Sequence, residues 1–192
     1  MKQTNQSNSG FTMAELLIVV AILAVLVAIS IPVFNRNLEK AREAYDIYTM
    51  RQAASAAVDL YNAGVKDASS ANAVGLSWSS DGAAAAHNAY GAYDPRSGTF
   101  YLTRQSLPAA VKTYGKGTPI NGGTQFVMGN ERGAYAPDQN YRNAVVMVSI
   151  YPNANPARVD VYWKNNKNNN STYVGGQFTT NNPKYSITIP IG

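Results

Sequence analysis

After Met1 the chain opens on nine polar or small residues and then changes character abruptly: Leu16 to Phe34 is an uncharged, almost wholly apolar run of 19 residues. As a helix at about 1.5 Å per residue it spans roughly 28 Å, the thickness of a bilayer hydrocarbon core, and predicts a membrane-spanning segment. Pro32 lacks the N–H that would bond the Ala28 carbonyl, so a kink or local melting is expected there. Beyond Phe34 the helical period continues through a charged stretch, Asn35 to Asp46. Ile47, Met50, Ala54, Ala57 and Tyr61 then recur in steps of three and four, which places them on one face suited to packing on a sheet. Gly64 follows the last periodic residue and reads as the helix stop.

Residues 64 to 98 are rich in Ala, Gly, Ser and Asn, anchored by Leu76 and Trp78, and predict a short helix or turns over most of their length. After residue 98 the pattern alternates as strands do, between turns of Gly, Pro and Asn. Candidate strands are Thr99 to Arg104, Gln125 to Met128, Ala144 to Tyr151, Arg158 to Trp163, Thr172 to Phe178 and Tyr185 to Ile189. The third and fourth are joined by Pro152-Asn153-Ala154-Asn155-Pro156 and read as a hairpin, with Val159, Val161 and Trp163 facing the helix. The polar run Asn165 to Asn170 predicts a mobile loop, and the acceptor-type triplets at Asn169 and Asn170 read as chance matches. The fold class is therefore α+β, a long N-terminal helix packed on an antiparallel sheet. After the helix ends near Ala63, 129 residues remain, enough for one core.

Charge and composition narrow the chemistry. Net charge is +5, and residues 104 to 192 hold nine basic side chains against three acids, while residues 1 to 103 hold seven against eight. The basic end could attract DNA or another anionic surface. The bland reading of those scattered cations is a solvated surface. Cysteine is absent and His87 is the single histidine, so neither a thiolate site nor a histidine-pair metal centre is available. His87 itself reads as a structural or surface residue. No phosphate loop, nucleophile elbow or His-centred triad occurs, and Asp81, Asp94, Glu131, Asp138 and Asp160 are scattered, so no enzymatic activity, cofactor or metal is expected.

The remaining chemistry lies at Gly10-Phe11-Thr12-Met13-Ala14-Glu15. An acid at the edge of an apolar span costs about 2.5 to 3.5 kcal/mol to place in hydrocarbon, so Glu15 calls for a cationic partner. These residues resemble the N-terminal signature of type IV pilins and pseudopilins. The resemblance implies cleavage between Gly10 and Phe11 by a prepilin peptidase, N-methylation of the Phe11 amine, and pairing of Glu15 with that amine on a neighbouring subunit, so that neither charge is buried alone. It also implies that Pro32 marks a place where the helix can lose hydrogen bonds inside a filament. Met13-Ala14 and a leader with the single basic residue Lys2 depart from the common pattern without removing a residue that the chemistry needs. Counting Arg36, Lys40, Arg42 and Arg51 after the span would keep the C-terminal side in the cytoplasm, whereas the resemblance puts residues 35 to 192 outside. Without cysteine the chain resembles the cysteine-free pilins of Gram-positive bacteria more than the Gram-negative pilins that close a C-terminal loop with a disulfide.

On this reading residues 1–10 are a leader that is removed, 11–34 the transmembrane and filament-core half of the helix, 35–63 its amphipathic half, 64–98 a helix–sheet connection, and 99–192 the sheet region with its C-terminal loops. Residues 35 to 46 offer only Leu38, Ala41 and Tyr45 as apolar positions and are expected to meet neighbouring subunits more than their own core; Arg42–Asp46 and Glu39–Arg42 are spaced for local pairs, and the charged groups read equally as plain helix surface or as intersubunit bridges. The implied function is a structural subunit of an extracellular type IV pilus. The expected partners are a homo-oligomeric helical filament, the prepilin peptidase and methyltransferase, and an assembly platform in the membrane. The precursor would be single-pass in the cytoplasmic membrane and the mature chain extracellular. A minor pilin acting as a tip module for DNA or surfaces, and a pseudopilin of a type II secretion-like machine, are the alternatives.

Overall fold

Helix α1, Met13–Asn62, is 50 residues long and runs unbroken through Pro32, so the local melting expected there is absent in the single chain. The computed structural model describes residues 10–111, 114–118, 126–127, 133–136, 138–165, 172–179 and 182–191. The polar loop to Asn170 with its triplets, and the leader before Gly10, lie outside the described residues. The chain divides into two units, Met1–Asn37 and Leu38–Gly192.

Among the described residues of the first unit, none covers the apolar run. Every large apolar side chain from Leu16 to Phe34 is more than half exposed. Many of these residues are Val and Ile, mediocre helix formers in water. A membrane interior supplies the missing reason for helix, because a backbone without water must satisfy its own N–H and C=O groups. Burying fourteen such side chains is worth on the order of 20 kcal/mol at about 1.5 kcal/mol each.

The second unit has its own core. α1 stops as expected: Gly64, at φ +102°, donates its N–H to the Tyr61 carbonyl while the Val65 N–H reaches back to Leu60, the paired bonds of a Schellman cap. A short helix α2, Ala68–Ala73, follows, capped by Asp67 and Ser70. The main sheet comprises β1 (Ser77–Ser79), β2 (Asn88–Asp94), β3 (Thr99–Tyr101), β6 (Ala144–Tyr151), β7 (Arg158–Asn165) and β10 (Ile187–Pro190). Two short antiparallel ladders accompany it, β4 (Phe126–Val127) with β5 (Gly133–Tyr135), and β8 (Gln177–Thr179) with β9 (Asn182–Pro183). The main order is β1-β2-β6-β7-β10, all antiparallel, with β3 also pairing β2.

The hairpin of β6 and β7 falls in the expected register, Val146 opposite Trp163, Val148 opposite Val161 and Ile150 opposite Val159. All six are buried in one cluster with Ile47, Met50, Ala54 and Ala57 of α1, and Tyr61 packs at its edge. The opposite sheet face is covered too. Val145, Met147 and Tyr162 pack with Leu107 and Val111, so Tyr162 is buried although the alternation directs it away from the helix. A strand buried on both faces reads as the continuous apolar run seen in Ala144–Tyr151.

Three expectations need correction. Residues 64 to 98 contain the expected short helix and turns, but also β1 and β2, and β2 is an interior strand whose two edges are both paired. The sequence Asn-Ala-Tyr-Gly-Ala-Tyr-Asp has few β-branched residues, and the strand is formed by its neighbours on either side. Residues 38 to 46 do join their own globular unit: Glu39, Glu43 and Asp46 are buried, while Leu38 and Tyr45 are exposed. Arg42 pairs with Glu39 at 3.6 Å, but the expected Arg42–Asp46 pair is replaced by backbone donors to Asp46.

Candidate functional site

Gly10 and Phe11 precede the helix, and both are exposed, Phe11 to 92 %. A Cβ placed on Gly10 would meet nothing within 4 Å among the described residues. The helix begins at a capping box that sequence reasoning passed over. The Thr12 hydroxyl accepts from the Glu15 N–H at 3.2 Å, and the Glu15 carboxylate accepts from the Thr12 N–H at 2.8 Å and its hydroxyl at 2.9 Å. Thr12-Met13-Ala14-Glu15 is the sequence pattern for this cap, so the signal was present. Within the single chain Glu15 thus takes its hydrogen bonds from Thr12. Pro32 is 17 residues further along the helix, roughly 25 Å away, and shares no local site with Glu15.

A second carboxylate group lies in the globular unit and was not anticipated. Glu39, Glu43, Asp46 and Met50 continue, in steps of four, three and four, the same helical face that carries the apolar stripe. Residues 114–118 cross this face and supply donors. Asp46 accepts from the Lys116 N–H at 2.9 Å, the Gly117 N–H at 2.7 Å and the Tyr135 hydroxyl at 3.2 Å, and Glu39 accepts from the Thr118 N–H. Gly117 is needed for the close approach: a Cβ there would overlap the Tyr135 hydroxyl and stand 3.1 Å from Asp46 Oδ2. Tyr135 in turn stacks on Tyr141 at 3.8 Å between ring centroids. Burial dominates the Asp46 acidity and pushes its pKa up to about 6, against the lowering influence of the Gly117 and Lys116 amides. This arrangement is structural, a crossing segment fastened to a helix.

The described basic residues of the C-terminal half differ in their surroundings. Arg104 is buried and donates to the Asn165 carbonyl at 2.5 Å, Arg158 pairs with Asp160 at 3.3 Å, and Lys164 is half-buried. Lys116 and Arg142 are exposed, and Lys112, Arg132 and Lys167 lie outside the described residues. His87 is half-buried with its ring edge-on to Trp78 at 6.4 Å. No group of three or more metal-binding side chains occurs among the described residues.

An uncovered apolar helix half, begun by a capped Thr12-x-x-Glu15 turn and followed by an antiparallel α+β unit, has the architecture of the type IV pilin fold. Residues 5–31 match the prokaryotic N-terminal methylation motif, so the chain carries the signal of type IV pilins and pseudopilins, the substrates of prepilin peptidase. The motif and the single apolar N-terminal helix fit a membrane-anchored precursor that is assembled by pilus machinery. Neither a curated protein nor a solved structure matches the chain.

Proposed function

We propose that the chain is a structural subunit of an extracellular type IV pilus filament serving adhesion, surface motility or DNA uptake. Prepilin peptidase cuts between Gly10 and Phe11, Phe11 is N-methylated, and the apolar half of α1 leaves the membrane to pack among identical helices. Glu15 neutralises the Phe11 amine of a neighbouring subunit, and Pro32 permits the helix to lose hydrogen bonds there. The chain acts as a polymer building block and not as an enzyme. One observation carries this reading: the methylation motif opens onto a helix whose apolar surface is uncovered over its whole first half.

Mass spectrometry of the exported chain tests the processing, with Phe11 expected as a methylated N-terminus. A mature chain that begins elsewhere would overturn it. Abundance in sheared surface filaments tests the structural role, since a dominant component is a major subunit and a trace component is a minor one.

A further inference from the structure

A cleft of about 350 Å³ opens on the globular unit, lined by Arg42, Arg96, Lys116 and Arg142 together with Tyr45 and Tyr114. The four cations come from four separate segments: α1, the turn after β2, the segment that crosses the carboxylate face, and the turn before β6. Two of them, Arg42 and Arg96, lie outside the basic C-terminal half that composition singles out. Among the described residues, only Arg42 of the four has a carboxylate partner, Glu39 at 3.6 Å. The buried Asp46 carboxylate accepts the Lys116 and Gly117 amides and also attracts the Lys116 ammonium, so it offsets part of that charge and leaves Arg96 and Arg142 as the cations that no described carboxylate pairs with. Arg96 and Arg142, beside the partly offset Arg42 and Lys116, leave this concavity with a net positive field that attracts anions.

We infer that this cleft binds phosphodiester chains through their phosphate oxygens. Three of the four cations are arginines, whose planar forks match phosphate oxygens in pairs, and Lys116 adds a point charge. The volume lies at the small end of ligand sites, about 300 to 1,000 Å³, and suits a phosphate with its flanking ester groups. Base recognition has no platform here. The Tyr45 ring carries Lys116 Nζ at 3.9 Å from its centroid, and the Tyr114 ring packs on Trp163 at 5.7 Å between centroids while its hydroxyl is held by the backbone of Tyr93 and Val146. The site therefore reads charge along a backbone and not the bases attached to it.

The test uses the full chain in neutral detergent micelles, with poly(glycerol phosphate) and an abasic deoxyribose-phosphate chain of equal phosphate number as probes. Both are expected to bind, and inorganic phosphate should compete. The Arg96→Gln/Arg142→Gln pair removes two exposed cations without touching the Arg42–Glu39 contact. It should weaken both probes roughly tenfold at low salt and make the salt slope shallower by about 1.4, at about 0.7 per lost contact. A charge-matched control, Lys66→Gln/Lys184→Gln, should leave both values at wild type, and circular dichroism should show each variant folded. Equal weakening by the control would assign binding to net charge and overturn the site. So would unchanged binding in the arginine variant, no binding of either probe, or binding seen only with an oligothymidylate that carries bases.

Discussion

Glu15 and Asp46 belong to the same helix, and each lies beside apolar residues, yet their surroundings differ in kind. Asp46 is fully buried, and its own chain supplies two backbone amides and a tyrosine hydroxyl to hold it. Glu15 is exposed and held only by Thr12, in a helix half where no large apolar side chain from Leu16 to Phe34 is covered. One region supplies the Asp46 carboxylate with donors and buries its apolar face within the chain. The other caps its carboxylate on Thr12 but leaves its apolar side chains uncovered. Residues 38–62 of the helix thus belong to a folded unit, while the apolar side chains of the first part stay exposed.

The largest effect that can break this comparison is on assembly. Glu15→Ala removes the carboxylate and the capping contact together, whereas Glu15→Gln retains a side chain able to cap the helix and removes only the charge. If the carboxylate is the partner of a neighbour's Phe11 amine, both variants leave that cation unpaired at a cost of about 3 to 5 kcal/mol. Sheared filaments should then fall by roughly two orders of magnitude, while precursor in the membrane stays level or rises because insertion no longer carries an acid. Filament yield and Phe11 methylation are measured separately, since the acid could also guide the methylating enzyme. Wild-type yield from Glu15→Gln would assign Glu15 to capping alone.

Acidity provides the next test, on the other side of the comparison. Asp46 binds its proton more tightly in the folded chain, at about 6, than at its ordinary value of 3.8. Its contribution to stability is therefore fully present below about pH 4 and is lost as pH rises through 6, about 3 kcal/mol in all. Melting of the globular unit, followed in neutral detergent, should show this downward step in wild type and lack it in Asp46→Asn. A carboxyl resonance of Asp46 titrating near pH 4 would remove the basis for the step.

Gly117→Ala probes the same fastening with a smaller effect. The added Cβ overlaps the Tyr135 hydroxyl and crowds Asp46, so the crossing segment must lift or Tyr135 must leave its stack on Tyr141. Destabilisation of about 1 to 3 kcal/mol is expected from overpacking of this kind, read as a lower melting temperature of the second unit. An unchanged melting temperature would mean that the crossing segment is loosely held.

What could be read from the chain in advance follows the range of the interaction involved. The apolar run, the Gly64 stop and the β6–β7 hairpin are specified by neighbours close in sequence, and all three stand where pattern places them. β2 escaped because Asn88–Asp94 is made a strand by pairing with β6, more than fifty residues away. The acidic face escaped for a different reason. Glu39, Glu43 and Asp46 keep the spacing of the apolar stripe, but acids default to solvent unless donors are provided, and the donors at 116–118 are some seventy residues distant. At Glu15 the long-range role is implied by the motif, while the local capping role could be read from four consecutive residues.

The smallest predicted effect isolates that local role. Thr12→Ala removes the hydroxyl that accepts the Glu15 N–H and donates to its carboxylate, but leaves the charge of Glu15 in place. Loss of such a cap costs about 0.5 to 2 kcal/mol, confined to the first turn. Amide exchange should therefore quicken at residues 13 to 16, while exchange in the globular unit and its melting temperature stay at wild type. Filament yield should change little, because a freed Glu15 carboxylate can still meet a neighbour's amine and sheds a competing contact. A collapse of yield as severe as that in Glu15→Gln would tie assembly to the capped geometry of the first turn and not to charge, and the contrast drawn between the two carboxylates would then fail at its N-terminal end.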